Sequence, residues 1–299
     1  MQYFLYSKAE KHRKDMPVID EFPFIWEFGH EKYVNIKPSS LSLHYNKGIE
    51  VCFIKKGRYN WWVEEQEHSV YPGDGFITCP WQFHGNKNEV VDLGEIYWLI
   101  IKPEIFTPED GFWLGEWSSF SEKENETISR VLADNTSPIL RKASILERYF
   151  NQLNDELVNR GFGSAVKIKA LIEGLILEVV RNIKNRTLED QMESNWLMKF
   201  DQFLQTDIAT NWSLEEMSSH FEMGTTSFND KVKRLTGFSP QSYLIHLRVD
   251  HAKNELTKTD DPLTEIALRN GFYSSQHFSS TFLKRVGMTP STFRKKYKK

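Results

Sequence analysis

Near the carboxyl end of this 299-residue chain, two runs of short polar side chains recur at helical spacing. One carries Thr225, Thr226, Asn229, Asp230 and Lys233; the other carries Ser275, Gln276, His277, Ser279 and Ser280. Residues three and four apart share a helix face, so each run makes a polar stripe, and the interleaved Phe228, Val232, Phe278 and Phe282 face the other way. Hydroxyl and amide groups of this length can hydrogen-bond the edges of nucleic-acid bases, whereas a merely solvated helix face would more often be lined with Lys and Glu. The setting is basic. Residues 231–299 hold 14 Lys and Arg against 5 Asp and Glu, a net +9, although the whole chain carries −3 and residues 1–190 carry −6. A polyanion is drawn to such a patch whatever the remainder does beyond a Debye length of about 8 Å.

The elements that must position those stripes are visible as a repeat. Leu214 to Tyr243 can be laid on Thr264 to Phe293 at a constant offset of 50 with no gap. Glu215 falls on Glu265, Phe228 on Phe278, Val232 on Phe282, Arg234 on Lys284, Gly237 on Gly287, Pro240 on Pro290 and Tyr243 on Phe293. Each copy reads as a helix, a tight turn, a second helix, then Gly and a Ser/Thr-Pro that opens another helix. Ser213 is placed to cap Leu214 to His220, with Glu216 completing a capping box. In the other copy Asp261 is placed to cap and Pro262 to take the first helical position. The turns fall near Met223-Gly224 and Asn270-Gly271. Two helices joined by a short Gly-containing turn make a helix-turn-helix, whose second helix enters the DNA major groove; ordinary helical hairpins are the other reading that period alone allows.

The run from Leu263 to Phe278, LTEIALRNGFYSSQHF, continuing through Phe282-Leu283-Lys284-Arg285-Val286-Gly287-Met288-Thr289-Pro290 to Phe293-Arg294, resembles the signature of the AraC/XylS transcriptional regulators. With the upstream copy, the resemblance covers roughly residues 193–299. It implies two helix-turn-helix units held by a connecting helix, about Pro240 to Leu256, with their recognition helices in successive major grooves of double-stranded DNA. Base-edge positions carried over by the motif are Thr226, Asn229 and Asp230, then Ser275, Gln276, Ser279 and Ser280. Asn and Gln can grip adenine bidentately and Asp can accept from cytosine N4. Lys233, Arg234, Lys284, Arg285, Arg294, Lys295 and Lys296 are assigned to phosphates, which position without specifying. Two departures stand out: Asp230, where the family often has a basic or neutral residue, and Gly224, where a serine cap is usual.

From Leu41 to Lys102 the pattern changes to short alternating runs broken by turns: Ile49 to Lys55, Tyr59 to Glu64, His68 to Tyr71, Gly75 to Cys79 and Ile96 to Ile101. That is an antiparallel β region, consistent with a small barrel or jelly roll. The spacing from Glu50 to Gly57, and from Gly73-Asp74 through Pro80 and His84 to Asn88, resembles the two short motifs of the cupin barrel. In metal-binding cupins the matching positions supply three His and a Glu; here they are His44, Asn46, Glu50 and His84. One imidazole has become an amide, so no metal and no cofactor are expected. Trp62, Trp81 and Trp98 offer aromatic faces that could stack on a sugar or pack in the core. In AraC/XylS regulators such a barrel commonly senses a small effector, frequently a carbohydrate. By that resemblance His44, Glu50, Trp62, Trp81, His84 and Trp98 are candidate effector contacts.

Ile139 to Arg160 and Ala165 to Lys184 read as two helices, and the second has an apolar face wider than a lone surface helix requires. The barrel or a second subunit could cover it, and the family's habit implies a homodimer contact. Asn185 to Asn195 has no periodic apolar face and reads as an interdomain linker. The expectation is an α+β multidomain chain. Residues 1–184 form a cupin-like sensing and dimerisation domain (barrel about 20–118, helices about 119–184), 185–195 the linker, and 196–299 an all-α DNA-binding domain. No apolar run approaches the ~20 residues of a membrane span. The N-terminus lacks the order of an export signal, so a cytoplasmic location is expected. Cys52 and Cys79 read as reduced buried thiols. The function expected is transcription regulation without enzymatic activity, with RNA polymerase as a further partner. A metal-dependent cupin enzyme tethered to DNA and an effector-independent DNA-binding protein stay open as alternatives.

Overall fold

The computed structural model describes residues 5–7, 22–33, 37–38, 43–46, 48–86, 90–91, 93–107 and 111–298; Leu41, Asn88 and Lys299 lie outside them. The chain divides into two compact units, and the long division falls between Arg186 and Thr187. In the first unit, β1 (Leu5–Ser7), β2 (Ile25–Tyr33), β4 (Ile49–Lys56), β7 (Gly75–Thr78), β10 (Gly94–Ile101) and β13 (Ile139–Leu140) form an antiparallel sheet in the order β1-β2-β10-β4-β7-β13. A second sheet has the order β6-β5-β8, from β5 (Tyr59–Val63), β6 (Gln66–Val70) and β8 (His84–Gly85). The short strands β11 (Ile105–Thr107) and β12 (Gly111–Trp113) pair with each other. A further ribbon, β3 (Lys37–Pro38) with β9 (Val90–Val91), groups with the second unit.

The strands expected from alternation are present, but among the described residues they build separate open sheets rather than a closed barrel. At Gly57, whose φ of 90° suits glycine, the chain leaves β4 and enters a hairpin that pairs with β8 instead of extending the larger sheet. Alternation along β4 sorts its side chains by face. Val51 and Phe53 join a core with Phe28, Ile77, Leu99 and Ile101, while Glu50 and Cys52 lie on the opposite face.

Helices cover the apolar face. They are α1 (Glu122–Ala133), α2 (Ile145–Val158) and α3 (Ser164–Lys184). Ile139-Leu140, expected to open a helix, is instead the edge strand β13, and α2 starts only at Ile145. The wide face of α3 is covered within the protomer: Ile168, Leu171, Ile172, Leu175, Ile176, Val179 and Val180 pack with the sheet, α1 and α2. That face therefore offers no argument for a dimer.

The second unit is helical: α4 (Leu188–Thr206), α5 (Leu214–His220), α6 (Thr225–Thr236), α7 (Pro240–Lys258), α8 (Leu263–Arg269), α9 (Ser275–Val286) and α10 (Pro290–Tyr297). The stretch read as a linker is mostly the first turns of α4. Thr187 caps that helix and Asp190 reaches back to the cap in a complete capping box, a local signal that outweighs the missing apolar periodicity. Among the described residues no helix is long and apolar enough to cross a membrane.

Leu175 is fully buried among α2, α3 and the sheet. Leu175→Ala is expected to lower the unfolding free energy of the first unit by about 2–5 kcal/mol in urea titrations. A loss below about 1 kcal/mol would mean that α3 is not packed as described.

Candidate nucleic-acid interface

The larger sheet's second face and the smaller sheet bring the cupin-like residues together. His44 and His84 form an isolated antiparallel bridge, with ring centroids 4.9 Å apart. The Asn46 amide nitrogen donates to Glu50 Oε2 at 2.5 Å, and Asn46 Oδ1 lies 3.1 Å from His44 Nε2. His84 donates from Nδ1 to the Gln82 carbonyl at 2.7 Å, and its Nε2 lies 3.1 Å from Glu50 Oε2 and 3.4 Å from Thr78 Oγ1. Among the described residues no group of three or more His, Cys, Asp or Glu is arranged to hold a metal ion. The tryptophans do not join this cluster as a set. Trp81 packs on the core that α1 to α3 cover. The Trp98 indole lies across Gly29, where a Cβ would fall 2.1 Å from the ring, and its N–H donates to Glu27 at 2.8 Å. On β5 it is Trp61, missed in the sequence reading, that packs against Phe76 at 5.2 Å; Trp62 alternates to the other face. Trp61 is buried, and its indole N–H has no acceptor among the described residues.

In the second unit the duplication is geometric from α6 onward. α6 and α9 start and end 50 residues apart, both end on a left-handed glycine, Gly237 (φ 75°) and Gly287 (φ 78°), and Pro240 and Pro290 open the next helices. Ser239 and Thr289 cap those helices by accepting from Ser242 N and Thr292 N. The first helices break the constant offset. α5 and α8 are 49 residues apart, so fully buried Met217 matches fully buried Ile266, and the second turn is one residue longer. Glu222 (φ 53°) takes the left-handed position that Gly271 (φ 71°) takes in the other copy. Pro262, not Asp261, is the residue that precedes α8, and no side chain caps that helix.

Phe228, Val232, Phe278 and Phe282 are fully buried, which turns the opposite faces of α6 and α9 outward. Thr226, Asp230, Gln276 and Ser280 are exposed, and Asn229, Ser275 and Ser279 are half-buried. Ser280 Oγ bonds the His277 carbonyl at 3.0 Å, while the side chains of Thr226, Asn229, Asp230 and Gln276 make no hydrogen bond among the described residues. Ser274 caps α9 with a bond to His277 N; Gly224 precedes α6 with no side-chain cap, and the helix forms on its buried face alone.

Residues 217–296 match the model of a family described as a helix-turn-helix domain. ExsA of Pseudomonas aeruginosa, an HTH-type transcriptional regulator, is 28% identical over 120 residues, which is 40% of this chain and 40% of its own. VirF of Yersinia enterocolitica, a virulence regulon transcriptional activator, is 27% identical over 192 residues, covering 60% of this chain and 65% of its own. RhaS of Escherichia fergusonii, an HTH-type transcriptional activator, is 33% identical over 112 residues, 37% of this chain and 40% of its own. The chain thus spans between 40% and 65% of the length of these relatives. By that match, residues 217–296 are a helix-turn-helix domain.

Within the helix-turn-helix domain the basic residues divide by what already holds them. Lys233, Lys284, Lys295 and Lys296 are exposed, Lys296 beside the Tyr297 ring at 5.2 Å. Arg234 is paired with Glu193 of α4 at 2.6 Å, and Lys231 lies 4.4 Å from the Trp196 ring of the same helix. Arg285 donates to Ser242 Oγ at 2.9 Å, and Arg294 donates to the Asp261 carbonyl at 2.6 Å. Arg285 thus ties α9 to α7, and Arg294 ties α10 to the loop between α7 and α8.

Outside that domain, burial works against charge on both Glu50 and His84, but the hydrogen bond and charge attraction between them, together with smaller contributions from Cys52 and His44 on one side and the Gln82 carbonyl and Glu64 on the other, outweigh it: the carboxyl is held below its ordinary 4.5 and the imidazole above its ordinary 6.5. A raised imidazole pKa adds stability below the unfolded value and loses it as pH climbs through the folded one. A lowered carboxyl pKa adds stability above the unfolded value and loses it as pH falls through the folded one. The pair's contribution is therefore complete between pH 4.5 and 6.5. The stability difference between wild type and a Glu50→Gln/His84→Gln variant is expected to be largest there in denaturant titrations. A difference that grew steadily above that window would contradict the ion pair.

Proposed function

We propose that the chain is a sequence-specific DNA-binding transcriptional regulator that inserts α6 and α9 into consecutive major grooves of a duplex. The observation that carries this reading is the pairing of two helices, built alike, whose faces opposite the buried aromatic residues hold Thr226, Asn229, Asp230, Ser275, Gln276, Ser279 and Ser280. These side chains read base edges, with Asn229 and Gln276 suited to adenine and Asp230 to cytosine N4. Lys233, Lys284, Lys295 and Lys296 meet phosphates; Arg234, Arg285 and Arg294 reach them only by leaving their present partners. The names of ExsA, VirF and RhaS support a role in transcription for this chain; RNA polymerase is a further partner in this reading. No catalytic role is assigned.

The first unit serves as a cupin-like sensor in this reading. A small hydroxyl-rich effector, such as a sugar, would bind between the sheets beside His44, Asn46, Glu50 and His84. The unpaired indole N–H of Trp61 supports a ligand with an acceptor there, since a buried donor left unmet costs about 1–3 kcal/mol. Effector binding would regulate DNA binding only through its different affinity for two arrangements of the chain or of a homodimer.

Gln276→Ala is expected to cost about 1–3 kcal/mol at one base position and relax preference there, whereas Lys295→Ala should weaken every sequence alike and lower the salt slope by about 1. Quantitative binding to a panel of single-base variants checks both, and uniform weakening by Gln276→Ala would remove it from the base readers. Thermal shift across a sugar panel tests the sensor. An effector at 100 times its Kd should add about 2.7 kcal/mol of stability, and no shift with any metabolite would favour an effector-independent regulator.

A further inference from the structure

α7 runs between the two helix-turn-helix copies, and one row of its side chains is Leu244, Arg248, Ala252 and Leu256, each four residues from the next and all buried. Three are apolar and pack. Arg248 is a guanidinium only 5% exposed in the middle of that row. A buried charge is retained only where hydrogen bonds replace its water, and here all three nitrogens are engaged. Nε donates to the Ile208 carbonyl at 2.8 Å, and Nη2 to the Thr210 carbonyl at 2.8 Å, the Ala209 carbonyl at 3.2 Å and Asn211 Oδ1 at 3.2 Å. These acceptors form the loop that leads into α5, the entrance of the first copy. Nη1 donates to the carbonyl of Gly271 at 2.8 Å, the turn of the second copy.

The two loops also touch. A Cβ on Gly271 would fall 2.6 Å from the Ala209 carbonyl oxygen and 2.6 Å from the Arg248 guanidinium, so glycine is required there by contact as well as by its φ of 71°. Four other polar side chains of α7 each reach one copy. Gln241 bonds the Trp212 carbonyl and Tyr243 bonds Asp201 on the first side; His251 and Glu255 hold Asn270, and Glu255 also holds Arg269, on the second. Arg248 grips both.

Its leverage follows from scale. Recognition helices in consecutive grooves lie about 34 Å apart, so a copy rocking by about 10° around a pivot midway between them shifts its helix by about 3 Å, close to the rise of one base pair. Apolar contacts are non-directional and resist such rocking weakly, whereas a planar fork with fixed donor directions resists it strongly. We propose that Arg248 is the positioning residue that sets the phase between the two recognition helices, and through it the spacing between the two half-elements of the duplex site. This rests on the DNA-binding reading above.

The test uses the full chain. A site is first selected from randomised duplexes with wild type, and affinities at fixed salt are then measured on that site and on versions with one base pair inserted or deleted between its halves. Wild type is expected to lose about tenfold or more with either change, the scale of a mismatched position. Arg248→Met should keep the base preferences within each half and reduce that spacing penalty to about threefold or less, a relaxation that mere loss of stability would not produce. Arg248→Lys, which keeps the charge without the fork, should relax spacing in the same direction and carries the test if the Met variant fails to fold. Folded variants that retain the wild-type spacing penalty, or weaken on all spacings alike, would overturn the assignment. If wild type selects no duplex, the DNA-binding reading fails and takes this one with it.

Discussion

A twelve-residue helix is marginal on its own in water, so α6 and α9 exist only because each has a face it can bury. Phe228 and Val232 in one, Phe278 and Phe282 in the other, are that face. Everything else in the second unit follows from the need to hold those aromatic anchors while leaving the opposite face unfilled. α4 contributes Trp196 and Phe200 to the first anchor, stacking and edge-packing around Phe221 and Phe228. Phe272 and Phe293 do the same for the second. The polar stripes are thus a by-product of where the core lies, and the chemistry that they carry is set by side-chain length and donor pattern.

Much of this domain was legible because its signals are local: glycine at a left-handed helix end, proline at a helix start, a hydroxyl cap, aromatic residues at helical spacing. Where the reading failed, a local signal was either overridden or fell one residue off. The constant offset of 50 aligned charged Glu215 with Glu265, yet burial matches Met217 with Ile266, because the extra residue of the second turn is invisible in residue types alone. The stretch after Asn185 is helical through the Thr187–Asp190 capping box, although it carries no apolar periodicity. Arg248 was overlooked because a lone arginine in an apolar row has no meaning until the carbonyls that it reaches, 37 or more residues away toward the N-terminus, are known.

The first unit was less legible for the same physical reason in reverse. Strands take their partners from distant sequence, so alternation predicts which residues face the core but not how sheets close. The motif residues His44, Asn46, Glu50 and His84 do converge, through a bridge across 40 residues. The tryptophans do not, since neighbours on a strand point to opposite faces and Trp61 took the place expected of Trp62. The apolar face of α3, which invited a second subunit, is satisfied by its own protomer.

In the proposed function α6 and α9 occupy neighbouring major grooves on one side of a duplex. Methylation protection of guanine N7 by the full chain bound to a selected site measures this directly, because that atom lies in the major groove. Two protected blocks about one helical turn apart on the same face are expected. A single protected block, or no protected guanine on a site that the chain binds, would contradict it.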